Sequence, residues 1–314
     1  MRVVFAGTPA FSLSSLEALV SHSAVDIAGV FTQPDRPAGR GRKLVASPIK
    51  QRAVEIGLDV FQPESFKVAG SVSALESLKP DLVVVTAYGL ILPQEVLDIP
   101  RLGCVNVHAS LLPRWRGAAP IQRAIEAGDL VTGVTLMLMQ TGLDTGPILA
   151  SVEVPIEAED TGGSLHDKLA VAGGRLLSAC LGAIREQRLE AIPQQDEKAT
   201  YAHKLTKAEA MIDWNFSAQS ISRKIRALNP WPIATTRLGA EGLRLFDAIE
   251  VGQRISQTSH CVPGEIVELS TEGIIVATAQ GHLCIRVLQK AGGKTMDANS
   301  FVNGTKVKPG MRFG

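Results

Sequence analysis

The sequence has few cysteines, and they form no recognisable pattern. Its 314 residues include four, Cys104, Cys180, Cys261 and Cys284, and no Cys-x-x-Cys pair. Such scattered cysteines argue against a disulfide scaffold or a zinc ribbon and are typical of proteins in a reducing cytosol. We therefore expect a cytoplasmic location.

An excess of one charge and a long apolar run are also missing. Lysine and arginine number 32 against 31 for aspartate and glutamate, a net charge of +1, which argues against a uniformly basic nucleic-acid binder or an acidic tail. The apolar run at residues 3–6 is too short for a signal peptide, and no stretch approaches the ~20 apolar residues of a membrane span. These absences predict a soluble intracellular protein with no membrane partner.

Metal and dinucleotide motifs are missing as well. The six histidines include no His-x-x-x-His pair and no cluster with cysteine at ligand spacing, so we expect no metal site. The first apolar run is followed by Gly7, Thr8 and Pro9, and Pro9 takes the second glycine position of the dinucleotide-binding fingerprint. A nicotinamide-dependent enzyme is therefore disfavoured.

Short apolar runs alternate with longer amphipathic segments through the first half of the chain. This pattern predicts an α/β domain with a doubly wound, Rossmann-like parallel sheet over residues 1–189. Residues 190–208 are polar and aperiodic, which indicates a linker or, alternatively, a surface loop inside one larger domain. Residues 209–314 contain one helical pattern and then about five short β-like runs, which predict a small OB-like β-barrel domain.

Charge is distributed unevenly along the chain. From Lys204 onward there are 14 lysines and arginines against 9 aspartates and glutamates, and residues 35–52 carry six basic residues against Asp35 alone. A basic loop and a basic second domain together can hold a polyanion, although an ordinary solvated surface has the same composition.

One segment carries a pattern suited to acid–base chemistry. Residues 103–108 read as a strand, whose period of two places Asn106 and His108 on one face at its carboxyl end, where doubly wound sheets bind ligands. Asn-x-His alone favours a structural interpretation, in which Asn106 caps a turn and His108 is a hydrogen-bonded edge histidine. Asp144 follows the next apolar strand on a glycine-flanked loop, from which it can reach the same edge and hold the imidazole tautomer.

Together these residues resemble the methionyl-tRNA formyltransferases, within the folate-dependent formyltransferase superfamily. The shared pattern is an Asn-x-His on a strand and an Asp in a later loop, matched here by Asn106, His108 and Asp144. The resemblance implies that these three are catalytic and that the cosubstrate is 10-formyltetrahydrofolate, with no metal. The residues that it implies for folate binding are Leu90, Ile91, Leu92, Ser110, Leu111, Leu112 and Pro113.

The resemblance also implies a tRNA substrate, because the basic segment is similar to an insertion that this family sends into the acceptor stem. The implied tRNA-contacting residues are Arg36, Arg40, Arg42, Lys43, Lys204 and Lys207. Arg42 is the candidate for reading a groove, and the others for phosphates or the path between domains. The implied reaction formylates the α-amino group of methionine on initiator methionyl-tRNA for translation initiation, by a cytoplasmic enzyme that acts as a monomer.

Two other branches of the superfamily and one different class are the alternatives. Glycinamide ribonucleotide formyltransferases resemble only the first domain, and enzymes that formylate amino-sugar nucleotides lack the arginine-rich segment. A catalytically silent tRNA- or folate-binding module is the alternative from another class. The intact set of Asn106, His108 and Asp144 disfavours it.

Overall fold

The computed structural model describes residues 1–38, 41, 43–252 and 261–314. The chain forms two compact units, one of residues 1–120, 131–155 and 166–202, the other of residues 121–130, 156–165 and 203–314. The chain passes from the first unit to the second for the last time between residues 202 and 203, inside the predicted linker 190–208. The two short inserted segments of the second unit were not predicted. The predicted boundaries, 1–189 and 209–314, stay a prediction.

The helices and strands of the first part of the chain are, in order, β1 (Arg2–Gly7), α1 (Leu13–Val20), β2 (Asp26–Phe31), β3 (Arg36–Ala38), β4 (Lys43–Val45), α2 (Pro48–Glu55), β5 (Val60–Phe61), α3 (Ala69–Ser77), β6 (Leu82–Thr86), α4 (Gln94–Leu97), β7 (Cys104–His108), β8 (Arg116–Gly117), α5 (Pro120–Ala127), β9 (Val131–Leu138), β10 (Ile148–Pro155) and α6 (Gly162–Arg185). Those of the remainder are β11 (Tyr201–Ala202), α7 (Ala218–Ala227), β12 (Ala234–Leu238), β13 (Glu241–Val251), β14 (Ile266–Leu269), β15 (Ile274–Ala277), β16 (His282–Lys290), β17 (Thr295–Asp297) and α8 (Ala298–Asn303). None of the helices in the described ranges combines the length and apolarity needed to cross a membrane.

The first unit is built on a mostly parallel sheet with the strand order β10-β9-β7-β6-β1-β2-β5. The five strands from β7 to β5 run parallel, and β9 and β10 are antiparallel additions at one edge. β6 is buried along its whole length, as its continuous apolar sequence predicts for a strand covered on both faces. The strand order reverses between β1 and β6, which is where such sheets open a crevice at their carboxyl edge. The predicted Rossmann-like α/β architecture is confirmed.

The second unit contains an antiparallel sheet with the order β12-β13-β16-β15-β14, and β17 pairs with β16. Helix α7 packs on β13 and β16, and its buried Ile221 and Ile225 are four residues apart and therefore lie on one helix face. No closed barrel is found in the described parts of residues 203–314, so the predicted OB-like closure is not confirmed. The C-terminal residues nevertheless bond to both outer strands: the N–H of Arg237 in β12 donates to Gly314, and the N–H of Ile266 in β14 donates to Met311.

Candidate active site

β7 positions the first two predicted catalytic side chains. Asn106 and His108 are both buried at its carboxyl end, on the same strand face because side chains alternate along a strand. The Asn106 backbone lies opposite Val85 of β6 on one side and Met137 of β9 on the other. The strand is therefore held on both sides where the polar side chains leave it.

Asp144 reaches these two side chains from the loop between β9 and β10. Its Oδ1 accepts from Nδ2 of Asn106 at 3.4 Å, and its Oδ2 lies 3.7 Å from Nδ1 of His108. Asp144 has a φ of +52°, a left-handed conformation that aspartate tolerates better than most residues. A Cβ on the flanking Gly146 would overlap the Leu138 carbonyl, so the loop closes directly against the end of β9. The structure thus brings Asn106, His108 and Asp144 together.

Residues 115–117 support both the imidazole and the carboxylate. Nε2 of His108 lies 3.0 Å from the carbonyl oxygen of Trp115, and the N–H of Gly117 donates to Oδ2 of Asp144 at 2.8 Å. A carbonyl oxygen can only accept, so Nε2 carries a proton in this arrangement. Nδ1 is then the nitrogen that faces Asp144 and can gain or lose a proton.

A glutamine that the sequence analysis did not select holds the backbone of the Asp144 loop. Nε2 of Gln194 donates to the carbonyl oxygens of Asp144 at 2.8 Å and Gly146 at 2.7 Å. Its Oε1 accepts from Nε of Arg116 at 3.0 Å. The predicted linker therefore contributes to the site.

The buried Cys104 shares the strand face of Asn106 and His108. Burial raises the pKa of its thiol to about 12, with a smaller contribution from the charge of Asp98. The thiolate population is therefore negligible at neutral pH, so the buried Cys104 is suited to packing rather than to acting as a nucleophile. Among the described residues, no group of three or more His, Cys, Asp or Glu side chains is arranged to hold a metal ion.

The first predicted folate segment, Leu90 to Leu92, follows β6 and is fixed at its start. The carbonyl oxygen of Tyr88 accepts from Oγ1 of Thr8 at 2.9 Å and from Nε2 of Gln33 at 3.0 Å. Beyond it, the backbone N–H and C=O groups of residues 89–92 make no hydrogen bond within the described chain. An anchored segment with free backbone groups can bond to the edge of a planar polar ring.

The side chains of this segment differ in exposure. Leu92 is buried and Leu90 is half-buried, whereas Ile91 is 89% exposed. Apolar side chains beside free backbone donors and acceptors are typical of a small-molecule pocket.

The second predicted folate segment, Ser110 to Pro113, is a turn fixed to β9. Oγ1 of Thr135 donates to the carbonyl oxygen of Ser110 at 2.7 Å and accepts from the N–H of Leu112 at 3.1 Å. Oγ of Ser110 donates to the Arg114 carbonyl at 2.6 Å. Leu112 is buried and Leu111 is half-buried. The segment therefore follows His108 closely in the chain as a turn that these hydrogen bonds hold in place.

The predicted tRNA-contacting residues are spread over both units. Arg36 and Lys43 lie on the hairpin of β3 and β4, where Lys43 is exposed and Arg36 donates to Oε1 of Gln33. Arg40 and Arg42 lie outside the described residues. Lys204 and Lys207 are exposed and belong to the second unit.

Two other basic residues of the same segment are paired with carboxylates. Nζ of Lys50 lies 2.7 Å from Asp35, and Nε of Arg52 lies 2.6 Å from Glu17. Hydrogen bonds from Lys50 and then Gln62 hold the pKa of Asp35 below its usual range. On the described hairpin, the positive charges without a carboxylate partner among the described residues are therefore those of Arg36, which bonds to the neutral Gln33, and Lys43.

Comparison with known proteins assigns the chain to a family. The family described as Formyl transferase matches residues 1–181, and the one described as Formyl transferase, C-terminal domain matches residues 204–306. The chain is 53% identical over 304 residues to a methionyl-tRNA formyltransferase of Stenotrophomonas maltophilia (strain K279a). This alignment covers 96% of this chain and 97% of the relative. The chain belongs to the methionyl-tRNA formyltransferase family. The resemblance predicted from the sequence is confirmed.

Two solved structures have a fold similar to that of this methionyl-tRNA formyltransferase family member. An N-formyltransferase from Helicobacter canadensis, in complex with folinic acid and dTDP-3-aminofucose, is 18% identical with a TM-score of 0.67, covering 92% of this chain and 99% of that one. HypX from Aquifex aeolicus, in complex with tetrahydrofolic acid, is 18% identical with a TM-score of 0.60 over 96% of this chain. The match covers 47% of HypX, so this chain spans about half of its length. These likenesses show the fold alone.

Sequence reasoning missed the residues that support the predicted catalytic set in this methionyl-tRNA formyltransferase family member. Gly117 has a φ of +118°, and a Cβ there would lie 2.7 Å from the carbonyl oxygen of Ala202. The signal for it was a glycine directly after an Arg-Trp-Arg run. Gln194 had no comparable signal, because it stands in a polar stretch with two adjacent glutamines and no periodicity.

Proposed function

We propose that this chain transfers the formyl group of 10-formyltetrahydrofolate to the α-amino group of methionine on initiator methionyl-tRNA. The product is N-formylmethionyl-tRNA, which is used in translation initiation. The observation that carries the proposal is the meeting of Asn106, His108 and Asp144 at the carboxyl edge of the sheet, in a chain 53% identical to a methionyl-tRNA formyltransferase.

Asn106 is proposed to stabilise the negative charge that develops on the formyl oxygen when the amine attacks. Its Nδ2 carries two N–H groups, and only one is needed for the 3.4 Å contact with Asp144. Because the side chain is buried and its backbone is paired on both sides, the remaining N–H has a fixed direction. Loss of one such donor typically costs roughly 2.7–4 kcal/mol of transition-state stabilisation.

His108 is proposed to carry the proton that moves during transfer. Its Nε2–H is occupied by the Trp115 carbonyl, so exchange takes place at Nδ1, beside the Asp144 carboxylate. Neutral Nδ1 can accept a proton from the amine as that nitrogen bonds to the formyl carbon. The resulting Nδ1–H can then give this proton, directly or through water, to the folate N10 as the bond between N10 and the formyl carbon breaks and tetrahydrofolate leaves. A positioned acid–base group contributes about 10²–10⁴-fold to the rate. An ordinary α-amino group titrates near 7.7–8.0, so a useful fraction of the nucleophile is neutral at cellular pH.

The folate site is proposed at Leu90, Ile91 and Leu92 and at residues 110–113. The fit is supported by the free backbone groups of residues 89–92, which suit a pterin edge, and by the half-buried Leu90 and Leu111 beside them. When bound, 10-formyltetrahydrofolate supplies the formyl group. The chain supplies the orientation, through a segment anchored at Tyr88 and a turn anchored at Thr135.

The tRNA acceptor stem is proposed to bind at the basic hairpin and at the second unit. Lys43 supports this most directly, because it is exposed and has no carboxylate partner among the described residues. Arg36 and Arg40 are proposed as further phosphate contacts and Arg42 as the residue that reads a groove. Lys204 and Lys207 are proposed to contact the same tRNA.

Three further assignments are part of the proposal. The enzyme acts as a monomer and works in the cytoplasm, where aminoacylated tRNA is made and used. The second unit is an OB-like barrel, an assignment supported by the hydrogen bonds from the C-terminal segment to both β12 and β14.

The experiment that tests the function is a three-substrate comparison with the purified protein and 10-formyltetrahydrofolate. Charged initiator methionyl-tRNA, glycinamide ribonucleotide and a dTDP-amino sugar are offered separately, and formylated product is measured by mass spectrometry. We expect product with the tRNA alone. Formylation of either small molecule at a comparable rate, or of none of the three, would overturn the proposal.

A further inference from the structure

We infer that Gln194 is a positioning residue for Asp144 and that the buried Arg116 holds Gln194 in place. The inference rests on the proposed function, because it concerns the carboxylate that the proposed mechanism uses. Gln194 lies outside the sequence pattern that pointed to the catalytic residues, and it touches no reacting group.

The amide of Gln194 is fully committed to this role. Nε2 has two N–H groups and donates one to each of two carbonyl oxygens, of Asp144 at 2.8 Å and of Gly146 at 2.7 Å. Oε1 accepts from Nε of Arg116 at 3.0 Å. The carbonyls only accept and the guanidinium only donates, so a flipped amide would lose every one of these bonds. The arrangement has one orientation.

Arg116 is fixed as firmly as the glutamine that it holds. It is 2% exposed, its Nη2 lies 2.8 Å from Oδ1 of Asp196, and its own N–H donates to the carbonyl of Thr200 at 2.9 Å. A buried guanidinium without a partner is strongly disfavoured, so moving the Arg116 side chain away from Gln194 and Asp196 would cost much free energy.

Two consecutive residues of β8 therefore hold Asp144, one at its backbone carbonyl and one at its side-chain carboxylate. Its backbone carbonyl is held by Arg116 through Gln194, and its carboxylate by the N–H of Gly117 at 2.8 Å. Asp144 itself is in a left-handed conformation on a loop, where its backbone would otherwise have alternatives. Rotation of this backbone would carry the carboxylate away from Asn106 and His108. A displacement of about 1 Å at a reacting centre can cost roughly 100-fold in rate.

The test uses Gln194→Glu, Gln194→Leu and the matched control Gln195→Leu. Glutamate keeps the size of the side chain and the bond from Arg116, but it cannot donate to the two carbonyls. Gln195 is the exposed neighbour with the same side chain. We expect both Gln194 variants to lose at least about tenfold in kcat, with KM for folate and for tRNA within about twofold of wild type. Gln195→Leu is expected to match wild type.

A second measurement separates positioning from a general contribution to folding. Thermal unfolding identifies which Gln194 variants are folded, and Gln194→Glu is the variant that best preserves the packing. In an Asp144→Asn background, Gln194→Glu is expected to lower kcat by less than twofold, because residues that act as a unit are not additive. Equal losses in both backgrounds, or a raised KM with kcat unchanged, would overturn the inference.

Failure of the proposed function and failure of the positioning role of Gln194 give different experimental results. If wild-type protein does not formylate methionyl-tRNA, the proposed function is wrong. If wild type is active and folded Gln194→Glu is as active as Gln195→Leu, the function stands and the positioning role of Gln194 is wrong.

Discussion

The backbone N–H of Gly117 donates to Oδ2 of Asp144 at 2.8 Å, and the same oxygen lies 3.7 Å from Nδ1 of His108. A backbone group has no rotamers, so this contact orients the carboxylate without ordering a further side chain. The direction of that N–H depends on the conformation of Gly117, whose φ of +118° is a glycine conformation.

Gly117→Ala is expected to damage both stability and catalysis. The new methyl group would meet the Ala202 carbonyl at 2.7 Å, and the backbone would also leave its preferred conformation. Such strain costs on the order of 1–3 kcal/mol. We expect a lower Tm by thermal unfolding and a kcat reduced by at least about tenfold. The matched control is Gly57→Ala, which has a φ of +75° and open space around its Cβ, and should lower Tm alone.

Single changes of the catalytic set should each be costly. Asn106→Ala, His108→Ala and Asp144→Ala are expected to lower the formylation rate by at least about 10²-fold, with tRNA affinity close to wild type. The measurement is single-turnover formylation together with a binding titration. Double changes should cost less than the product of the singles. An Asp144→Ala enzyme within a few-fold of wild type would contradict the proposed roles.

The anchor of the folate segment gives a prediction about KM. Gln33→Leu removes the Nε2 donor to the Tyr88 carbonyl, and a hydrogen bond of this kind is worth about 0.5–1.5 kcal/mol. We therefore expect KM for 10-formyltetrahydrofolate to rise about two- to tenfold, measured at saturating tRNA. Gln51→Leu serves as the control, because Gln51 is an exposed glutamine whose side-chain amide donates to the Ala46 carbonyl. An unchanged KM in Gln33→Leu would contradict a role of the Gln33 hydrogen bond in positioning Leu90, Ile91 and Leu92 for folate.

Salt dependence tests the basic hairpin. Each phosphate that a lysine or arginine contacts contributes about −0.9 to the slope of log affinity against log salt concentration for B-form DNA. We expect a similar contribution for an RNA duplex. Lys43→Ala should make the slope of log tRNA affinity against log salt concentration shallower by the contribution of about one phosphate contact. It should also weaken the binding of all tRNAs equally. Lys67→Ala, an exposed lysine elsewhere in the first unit, should leave the slope unchanged.

Arg42→Ala should act differently from Lys43→Ala. Its expected effect is larger on initiator tRNA than on other tRNAs, because a residue that reads a groove contributes to selection. The measurement compares formylation of initiator and elongator methionyl-tRNA by the two variants. An unchanged preference for initiator tRNA would place recognition elsewhere in the protein.

The shared strand face of Asn106 and His108 could be predicted because it follows from local rules, whereas these rules do not place Asp144, because β9 runs antiparallel to β7 and ends with Leu138 opposite Val105. Strand alternation fixes which side chains share a face, and the carboxyl edge of a parallel sheet fixes where they point. The contact of Gln194 with Asp144 could not be predicted, because it joins residues 50 positions apart and is supported by Arg116 of the two-residue strand β8. Strands of two residues are too short to show a period of two.

The second unit shows the same limit on a larger scale. Turn spacing predicted several short strands, and they are present as an antiparallel sheet. Whether the sheet closes depends on which segments meet its outer strands, and no local pattern marks that choice. The grouping of residues 121–130 and 156–165 with this unit was missed for the same reason.

The C-terminal residues that bond to both β12 and β14 have a consequence for solubility. An outer strand with free backbone groups is a template for pairing with another chain. Here residues 311–314 form backbone hydrogen bonds with both outer strands. The N–H of Arg237 donates to the carbonyl of Gly314, and the N–H of Ile266 donates to the carbonyl of Met311. Removing residues 311–314 would expose both edges in a single step and would also take the buried Phe313 away from the Trp214 ring on which it stacks, so self-association would follow from loss of cover and loss of core packing together.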